Sequence, residues 1–375
     1  MKIFAMPGCG KPQAFSRKSG GMPAARHRKT EGKMVTIKDV ARLANVSIAT
    51  VSRVVNGYAH VRPAVREAVT KAIAELGYRP NGLASSFRTQ QSNIVGVLLR
   101  QQRTPFSSAL AYAIENTMFD QGYRVLLCST NGDADREEAY LNTMLEMRVQ
   151  GVIIRPSAAT ARTVKQINML RERGIALSFV DMKPKVAAIS SVVCDNFSGG
   201  YQGMRHLIEL GHRRIGVAAG IVAQKGGSSD VGSERVRGIK QAAADLATDV
   251  EIIWSPPFDI ASFEIGREVG DTMIRENPDM TAIFATTDML AIGVMHAAHA
   301  LDLDLPKDLS ILGYDGVLES TVTFPTLSTI AQPIHEMGQL AATTLIDHMT
   351  GASKSPRQVV LENTLIHRAS TIPLP

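Results

Sequence analysis

The hydrophobic rhythm of the chain changes three times. Through residue 33 no period holds, and Gly, Pro and basic residues mix. From Thr36, apolar positions recur at helical spacing (Ile37, Val40, Ala41, Ala44), and Asp39 stands three residues past Thr36, as a capping box requires. An Asn45-Val46 turn follows, then Ser47 as the cap of a second helix over 48–55. In it Val51, Val54 and Val55 face inward and Ile48, Ala49, Thr50, Ser52 and Arg53 outward. Two short helices joined so tightly predict a helix-turn-helix, whose second helix lays its exposed face in the major groove of DNA. Pro63 opens a third helix with Val65, Ala68, Val69, Ala72, Ile73 and Leu76 as its stripe, ended by Gly77. The three stripes can close one small core.

Next comes Asn81-Gly82-Leu83-Ala84-Ser85-Ser86-Phe87-Arg88, capped by Asn81 and two turns long. So short a helix is marginal in water, and Gly82 weakens it further. Two readings stand: a plain interdomain linker, or a segment that pairs with its mate from a second subunit, orders in the minor groove and pushes Leu83 or Phe87 between base steps. Past Ser92, short continuous apolar runs at 94–99, 125–128, 152–154, 175–180, 214–219, 252–254, 282–286 and 310–314 alternate with amphipathic helices. Such a text predicts parallel sheets wrapped on both faces, and eight units over this length suit two lobes better than one. Ligands bind outside the carboxyl ends of such strands, so the residues just after each strand are the candidates.

Composition narrows the class. With 375 residues, 45% of them apolar and 20% charged, and a mean hydropathy of +0.01, the chain has the make-up of folded globular material rather than of a disordered one. Cys9, Cys128 and Cys194 form no CxxC pair and no even framework, which points to free thiols in the cytosol. No uncharged apolar run is long enough for a membrane helix, and the stretch after Lys2 is too short for a signal peptide. The charge is uneven: residues 1–92 carry a net +12 and residues 93–375 a net −6. One end is built for a polyanion, because each neutralised phosphate releases condensed counterions. Residues 1–33 read as a basic, disordered extension or as sequence upstream of a start at Met34. The expected domains are then 1–33, a headpiece over 34–80, a hinge and linker over 81–92, and a two-lobe core over 93–375.

Several strings resemble the DNA-binding headpiece of the lactose repressor/galactose repressor family of bacterial transcription regulators. They are Thr36-Ile37-Lys38-Asp39-Val40-Ala41, Val46-Ser47, Thr50-Val51-Ser52-Arg53-Val54-Val55-Asn56 and Leu76-Gly77-Tyr78-Arg79-Pro80-Asn81. The resemblance implies that Ile48, Ala49 and Arg53 read base edges and that Phe87 stands where an intercalating leucine is usual. Arg53 suits bidentate contact with a guanine; Ile48 and Ala49 offer only apolar contact, for instance to a thymine methyl. The expected DNA-facing set is Thr36, Ser47, Ile48, Ala49, Thr50, Ser52, Arg53 and Asn56 in the headpiece, with Asn81, Leu83 and Phe87 in the hinge.

The acidic remainder is similar to the same family's effector-binding core, itself like periplasmic sugar-binding proteins. Gly96-Val97-Leu98-Leu99, Pro105-Phe106, Arg148-Val149-Gln150-Gly151-Val152-Ile153-Ile154, Asp195-Asn196, Gly313-Tyr314-Asp315 and Gln332-Pro333 are among the strings that carry this. By position the resemblance places Phe106, Ser107, Arg155, Asp181, Arg235, Phe258, Thr287 and Asp315 in an effector cleft, and Arg100 ends a strand where proline is common. An aromatic can stack on a sugar face, and Asp and Arg can bind hydroxyls. Ser107 replaces a second aromatic, which disfavours a flat ligand held between rings. Arg100, Arg155 and Arg235 favour a carboxylate or phosphate, unless they are salt-bridged or solvated strand ends. The loop 226–232 either supplies backbone amides to an anion or is merely flexible.

Other chemistries fit less well. His296 and His299 have metal-ligand spacing without a third ligand, so no metal or other cofactor is expected. The sequence contains no GxSxG, GxGxxG or GxxxxGK[ST], and no nucleophile, base and orienting group assemble from spacing. Asp288, after a strand, reads as a helix cap rather than a catalytic acid. The expected function is a repressor of carbohydrate or sugar-acid genes, not an enzyme, bound as a homodimer to a palindromic operator with a sugar, sugar acid or sugar phosphate between its lobes. The alternative is a cytosolic α/β sugar-binding or sugar-processing protein with a basic tether. Terminal leucine heptads of the kind that build tetramers are missing from the sequence.

Overall fold

The computed structural model describes residues 35–55, 58, 60–78, 92–156, 161–184, 189–220, 231–246, 249–353 and 355–374. The chain divides into two compact units, Met1–Asn81 and Gly82–Pro375.

In the first unit, α1 (Ile37–Leu43), α2 (Ile48–Val55) and α3 (Pro63–Leu76) follow the predicted bounds. The Asp39 carboxylate turns back to accept from the Thr36 backbone nitrogen at 2.9 Å and from its hydroxyl at 2.7 Å, closing the first turn. Ser47 Oγ accepts from the Thr50 nitrogen at 3.1 Å and so caps α2. Asn45 (φ 50°) and Gly77 (φ 60°) adopt the left-handed backbone that lets the chain leave α1 and α3. Val40, Val51 and Val69, all fully buried, anchor the core with Ala41, Val54 and Ala72. Ala68 is exposed, against the expected stripe. Two short partner helices cover only a narrow strip of α3, and Val69 occupies it.

The second unit contains two six-stranded sheets. One comprises β1 (Ile94–Leu99), β2 (Arg124–Ser129), β3 (Gly151–Ile154), β4 (Ala176–Val180), β5 (Ser190–Cys194) and, late in the chain, β11 (Gln358–Leu361), in the order β11-β5-β4-β3-β1-β2. The other comprises β6 (Arg214–Ala218), β7 (Glu251–Trp254), β8 (Ala282–Ala285), β9 (Ser310–Asp315), β10 (Ser328–Ala331) and β12 (Thr364–Ile366), in the order β12-β10-β9-β8-β6-β7. The first lobe carries α4 (Pro105–Asp120), α5 (Ala134–Glu146), α6 (Ala161–Glu172) and α11 (Ile334–Thr350). The second carries α7 (Asn196–Glu209), α8 (Val231–Leu246), α9 (Phe263–Glu276) and α10 (Asp288–Ala300). Each sheet is buried on both faces. Val95, Val97 and Leu99 enter one core while Leu98, with Val152 and Ile154, enters the core on the opposite face.

β5, β10, β11 and β12 were not among the expected strands. Ser190 and Ser191 in β5, and Ser328 and Thr329 in β10, interrupt the apolar text, yet all four are buried and hydrogen-bonded, for instance Thr329 to Asp288 at 2.6 Å. β11 and β12 are short edge strands with exposed positions. β12 runs antiparallel on β10, so the second sheet is not purely parallel.

The chain crosses between the lobes three times, after β5, after β10 and after β11. Hydrogen bonds tie the first and third crossings together. Asn363 Nδ2 donates to the Asp195 carbonyl at 2.6 Å and to the Tyr314 hydroxyl at 3.1 Å, and that hydroxyl donates to Asn196 Oδ1 at 3.3 Å. Beside them α7 and α8 meet backbone to backbone. A Cβ on Gly200 would strike the Arg235 carbonyl, and one on Gly238 the Phe197 carbonyl. This close approach sets the position of Arg235.

Candidate functional site

The face of α2 presents Ile48 (45% exposed), Ala49 and Arg53 to solvent, with Thr50 and Ser52 half-buried beside them and Thr36 and Ser47 exposed at the two helix starts. Thr50 Oγ1 and Ser47 Oγ lie 2.9 Å apart. An exposed isoleucine next to an exposed arginine offers an apolar contact and a forked donor on one helix face, the pair of chemistries that reads a thymine methyl and a guanine edge. Asn56, Asn81, Leu83 and Phe87 lie outside the described residues.

In the second unit, one cavity of about 230 Å³ is lined by Arg100, Phe106, Ser107, Arg155, Asp181, Arg235, Phe258, Thr287 and Asp315 together. Arg100 and Arg155 follow the neighbouring strands β1 and β3, Asp181 follows β4, Thr287 follows β8 and Asp315 ends β9. Phe106 and Ser107 open α4, whose N-terminus is capped by Thr104 through a 3.2 Å bond from the Ser107 nitrogen. The cavity therefore sits outside the carboxyl ends of strands from both lobes, with Phe258 and Met289 supplying apolar wall.

Two ion pairs organise it. Arg155 Nε donates to Asp181 Oδ2 at 2.6 Å. Arg235, buried, donates through Nε to Asn196 Oδ1 at 2.7 Å and through Nη1 to the Thr286 carbonyl at 2.7 Å and to Asp315 Oδ1 at 3.3 Å, with its Cζ 3.7 Å above the Tyr314 ring. Asp315 also accepts from Gln332 Nε2 at 2.8 Å. Burial pushes its carboxyl up to about 7, although the Arg235 charge pulls the other way. Arg155 and Arg235 thus each have a carboxylate partner from the protein itself.

Thr287, not Asp288, caps α10: its Oγ1 accepts from the Leu290 nitrogen at 3.2 Å. Asp288, expected as the cap, is wholly buried in the first turn and accepts from the Gly316 and Val317 nitrogens at 2.8 and 2.9 Å. Its burial raises that carboxyl too. The reason is tertiary, since β9 and β10 pass directly over the start of α10 and bring three donors to it. Asn196, Tyr314 and Gln332, quoted above only within family strings, and Asn363 link the cleft to the crossings; none is an expected site residue, because no local pattern marks a side chain whose partner is far away in the chain.

The profile of bacterial regulatory proteins of the lacI family matches residues 36–81, and that of a periplasmic binding protein-like domain matches residues 204–371. Over 339 residues the chain is 32% identical to the HTH-type transcriptional repressor PurR of Pectobacterium carotovorum, spanning 90% of this chain and 97% of that one. The chain belongs to the lacI family of bacterial regulatory proteins. This lacI-family regulator shares 28% identity and a TM-score of 0.78 with the lac repressor dimer bound to operator and the anti-inducer ONPF, over 91% of this chain and 100% of that one. With a lacI-family regulator of Enterococcus faecium holding ribose it shares 28% identity and a TM-score of 0.66, over 75% of this chain and 100% of the other. These relatives are regulators, not enzymes.

Other features of this lacI-family regulator have structural partners. His299 Nε2 lies 3.1 Å from the Phe324 carbonyl, and the His296 ring meets Phe263 edge-on at 5.5 Å. Residues 226–230 of the glycine-rich loop lie outside the described residues, while Gly232 lines the cavity. Among the described residues no helix is long and apolar enough to cross a membrane.

Proposed function

We propose that the protein is a cytosolic homodimeric repressor that binds a palindromic operator through α2 of each subunit and releases or holds it according to a carbohydrate or sugar acid bound between the lobes. The observation that carries this reading is a cavity lined from the strand ends of both lobes, in a chain that also bears a helix-turn-helix. A ligand there touches both lobes, so its binding free energy depends on their mutual orientation. Ligand and operator are then linked reciprocally, each weakening the other if the ligand induces and strengthening it if the ligand is a corepressor. The regulator with ribose and the lac repressor dimer on its operator support both halves of the reading by similarity.

Two apolar surfaces support the dimer. Tyr112 and Phe119 on α4 and Leu127 on the edge strand β2 are exposed in one lobe. In the other lobe Leu318, Val322 and Phe324, the last 92% exposed, follow β9. Side chains of this size gathered in the open favour cover by a second copy. Cys128 and Cys194, both unpaired and buried, suit a reducing compartment.

The test is a gel shift of the full-length protein on palindromic and scrambled DNA at rising salt, repeated with a panel of sugars and sugar acids. Selective binding with a steep salt slope, altered by one compound, supports the reading. Indifference to the palindrome at every salt concentration overturns it.

A further inference from the structure

Arg155 is held at one nitrogen only. Its Nε is taken by Asp181, and among the described residues neither terminal nitrogen has a hydrogen-bond partner. The side chain is 17% exposed and lines the cavity, so the part of the guanidinium left over opens on the cleft. That leftover edge is the pair of parallel donors that fits a carboxylate in two-point contact.

Asp181 complements it. Its Oδ1 is buried and accepts no hydrogen bond, which is costly for an ionised carboxylate oxygen unless something supplies a donor. A ligand that satisfies both groups needs an oxyanion with two oxygens and, next to it, a hydroxyl. Arg235 has Nε and Nη1 engaged by Asn196, Thr286 and Asp315, so it has no pair of open terminal nitrogens to offer the anion. Arg100, at the end of the neighbouring strand, lines the same side of the cleft, while Asp259 stands on the opposite lobe.

Charge and volume narrow the class further. A carboxylate brings one negative charge to a pair that is itself neutral, whereas a phosphate monoester brings nearly two and repels Asp181 more strongly. A cavity of about 230 Å³ is smaller than the roughly 300–1,000 Å³ of sites for larger organic ligands and suits a single sugar unit.

We infer that the cleft takes a small polyhydroxy carboxylate with a hydroxyl on the carbon next to the carboxylate, an aldonate, whose carboxylate bridges the two terminal nitrogens of Arg155 and whose adjacent hydroxyl donates to the Asp181 carboxylate. This rests on the cleft being the effector site proposed above.

Calorimetric titration of the full-length protein with D-gluconate, D-galactonate, D-glucuronate and D-galacturonate tests it, each acid beside its alditol or neutral sugar and beside a hexose 6-phosphate. One aldonate is expected to bind at least about tenfold more tightly than its neutral counterpart, than the uronates and than the phosphate, and its 2-deoxy form about tenfold more weakly. Arg155→Gln is expected to abolish the preference for the acid, and Arg155→Lys, which keeps the charge without the fork, to restore only part of it. Melting of each unliganded variant shows whether it is folded. Tighter binding of a neutral sugar, of a uronate or of the phosphate, binding of neither aldonate, or an acid preference that survives in folded Arg155→Gln overturns the inference. Operator binding by the same preparation is read separately, so that these outcomes leave the repressor reading standing and only loss of selective DNA binding removes it.

Discussion

Asp288 Oδ2 accepts a hydrogen bond from the Gly316 nitrogen at 2.8 Å, one residue beyond Asp315 in the cleft. The same oxygen accepts from the Val317 nitrogen at 2.9 Å, and Oδ1 accepts from the Thr329 hydroxyl at 2.6 Å. A helix start in the second lobe thereby holds the segment that shapes the cleft floor. Removing this carboxylate leaves three buried donors without a partner. Asp288→Ala is expected to lower stability by about 2–5 kcal/mol, read from urea unfolding. A loss below about 1 kcal/mol would mean that water takes the carboxylate's place.

Arg53 is exposed on α2, and its guanidinium has the forked donors that suit two-point contact with a guanine edge. Arg53→Ala is expected to cost about 1–3 kcal/mol on the operator and much less on random DNA. Equal losses on both, measured by fluorescence anisotropy, would assign Arg53 to a phosphate.

Asp315 gives stability a sign in pH. Its carboxyl, raised to about 7 by burial, keeps a proton that the unfolded chain releases near 3.9. Between these values the folded state binds more protons, so this group's contribution to stability falls as pH rises from about 4 to about 7 and levels off above. Asp315→Asn cannot titrate and lacks that slope. The stability of the wild type minus that of the variant should therefore be lower at pH 8 than at pH 5. The subtraction also removes most of the opposing effect of His206, whose pKa is lowered to about 4 by burial and by His367. A difference that stays constant across this range would show that Asp315 is ionised throughout.

Phe324 stands 92% exposed and Phe119 54% exposed, one on each lobe. If a second copy covers both, Phe119→Glu and Phe324→Glu should each shift the protein towards monomer in sedimentation at micromolar concentration, and operator affinity should fall in parallel. Unchanged sedimentation of the doubly substituted protein would place the dimer contact elsewhere.

The headpiece was legible in the sequence because its information is local. Thr36 with Asp39, Ser47 with Thr50, and Gly77 at a left-handed position each fix a helix boundary within a few residues, and the valine spacing states which face is buried. The alternation of apolar runs and helices likewise announced the two lobes, since a strand buried on both faces must be apolar throughout. The strands that went unread, β5 and β10 among them, carry serine and threonine whose hydrogen-bond partners lie far along the chain.

Eight of the nine cleft residues could be named from a resemblance and Arg100 from its place at a strand end, and the structure gathers them around one cavity. Their pairing could not be named. Sequence order says nothing of Arg155 meeting Asp181 or Arg235 meeting Asp315, nor of Asp288 reaching past its own helix to Gly316. What the residues determined alone are the elements and their buried faces, because propensity, capping and periodicity act over one or two turns. The balance of charge in the cleft, and with it the kind of ligand it suits, was decided only when the strand ends of two lobes came together, because an ion pair depends on distance in space and on how little water is left between its partners.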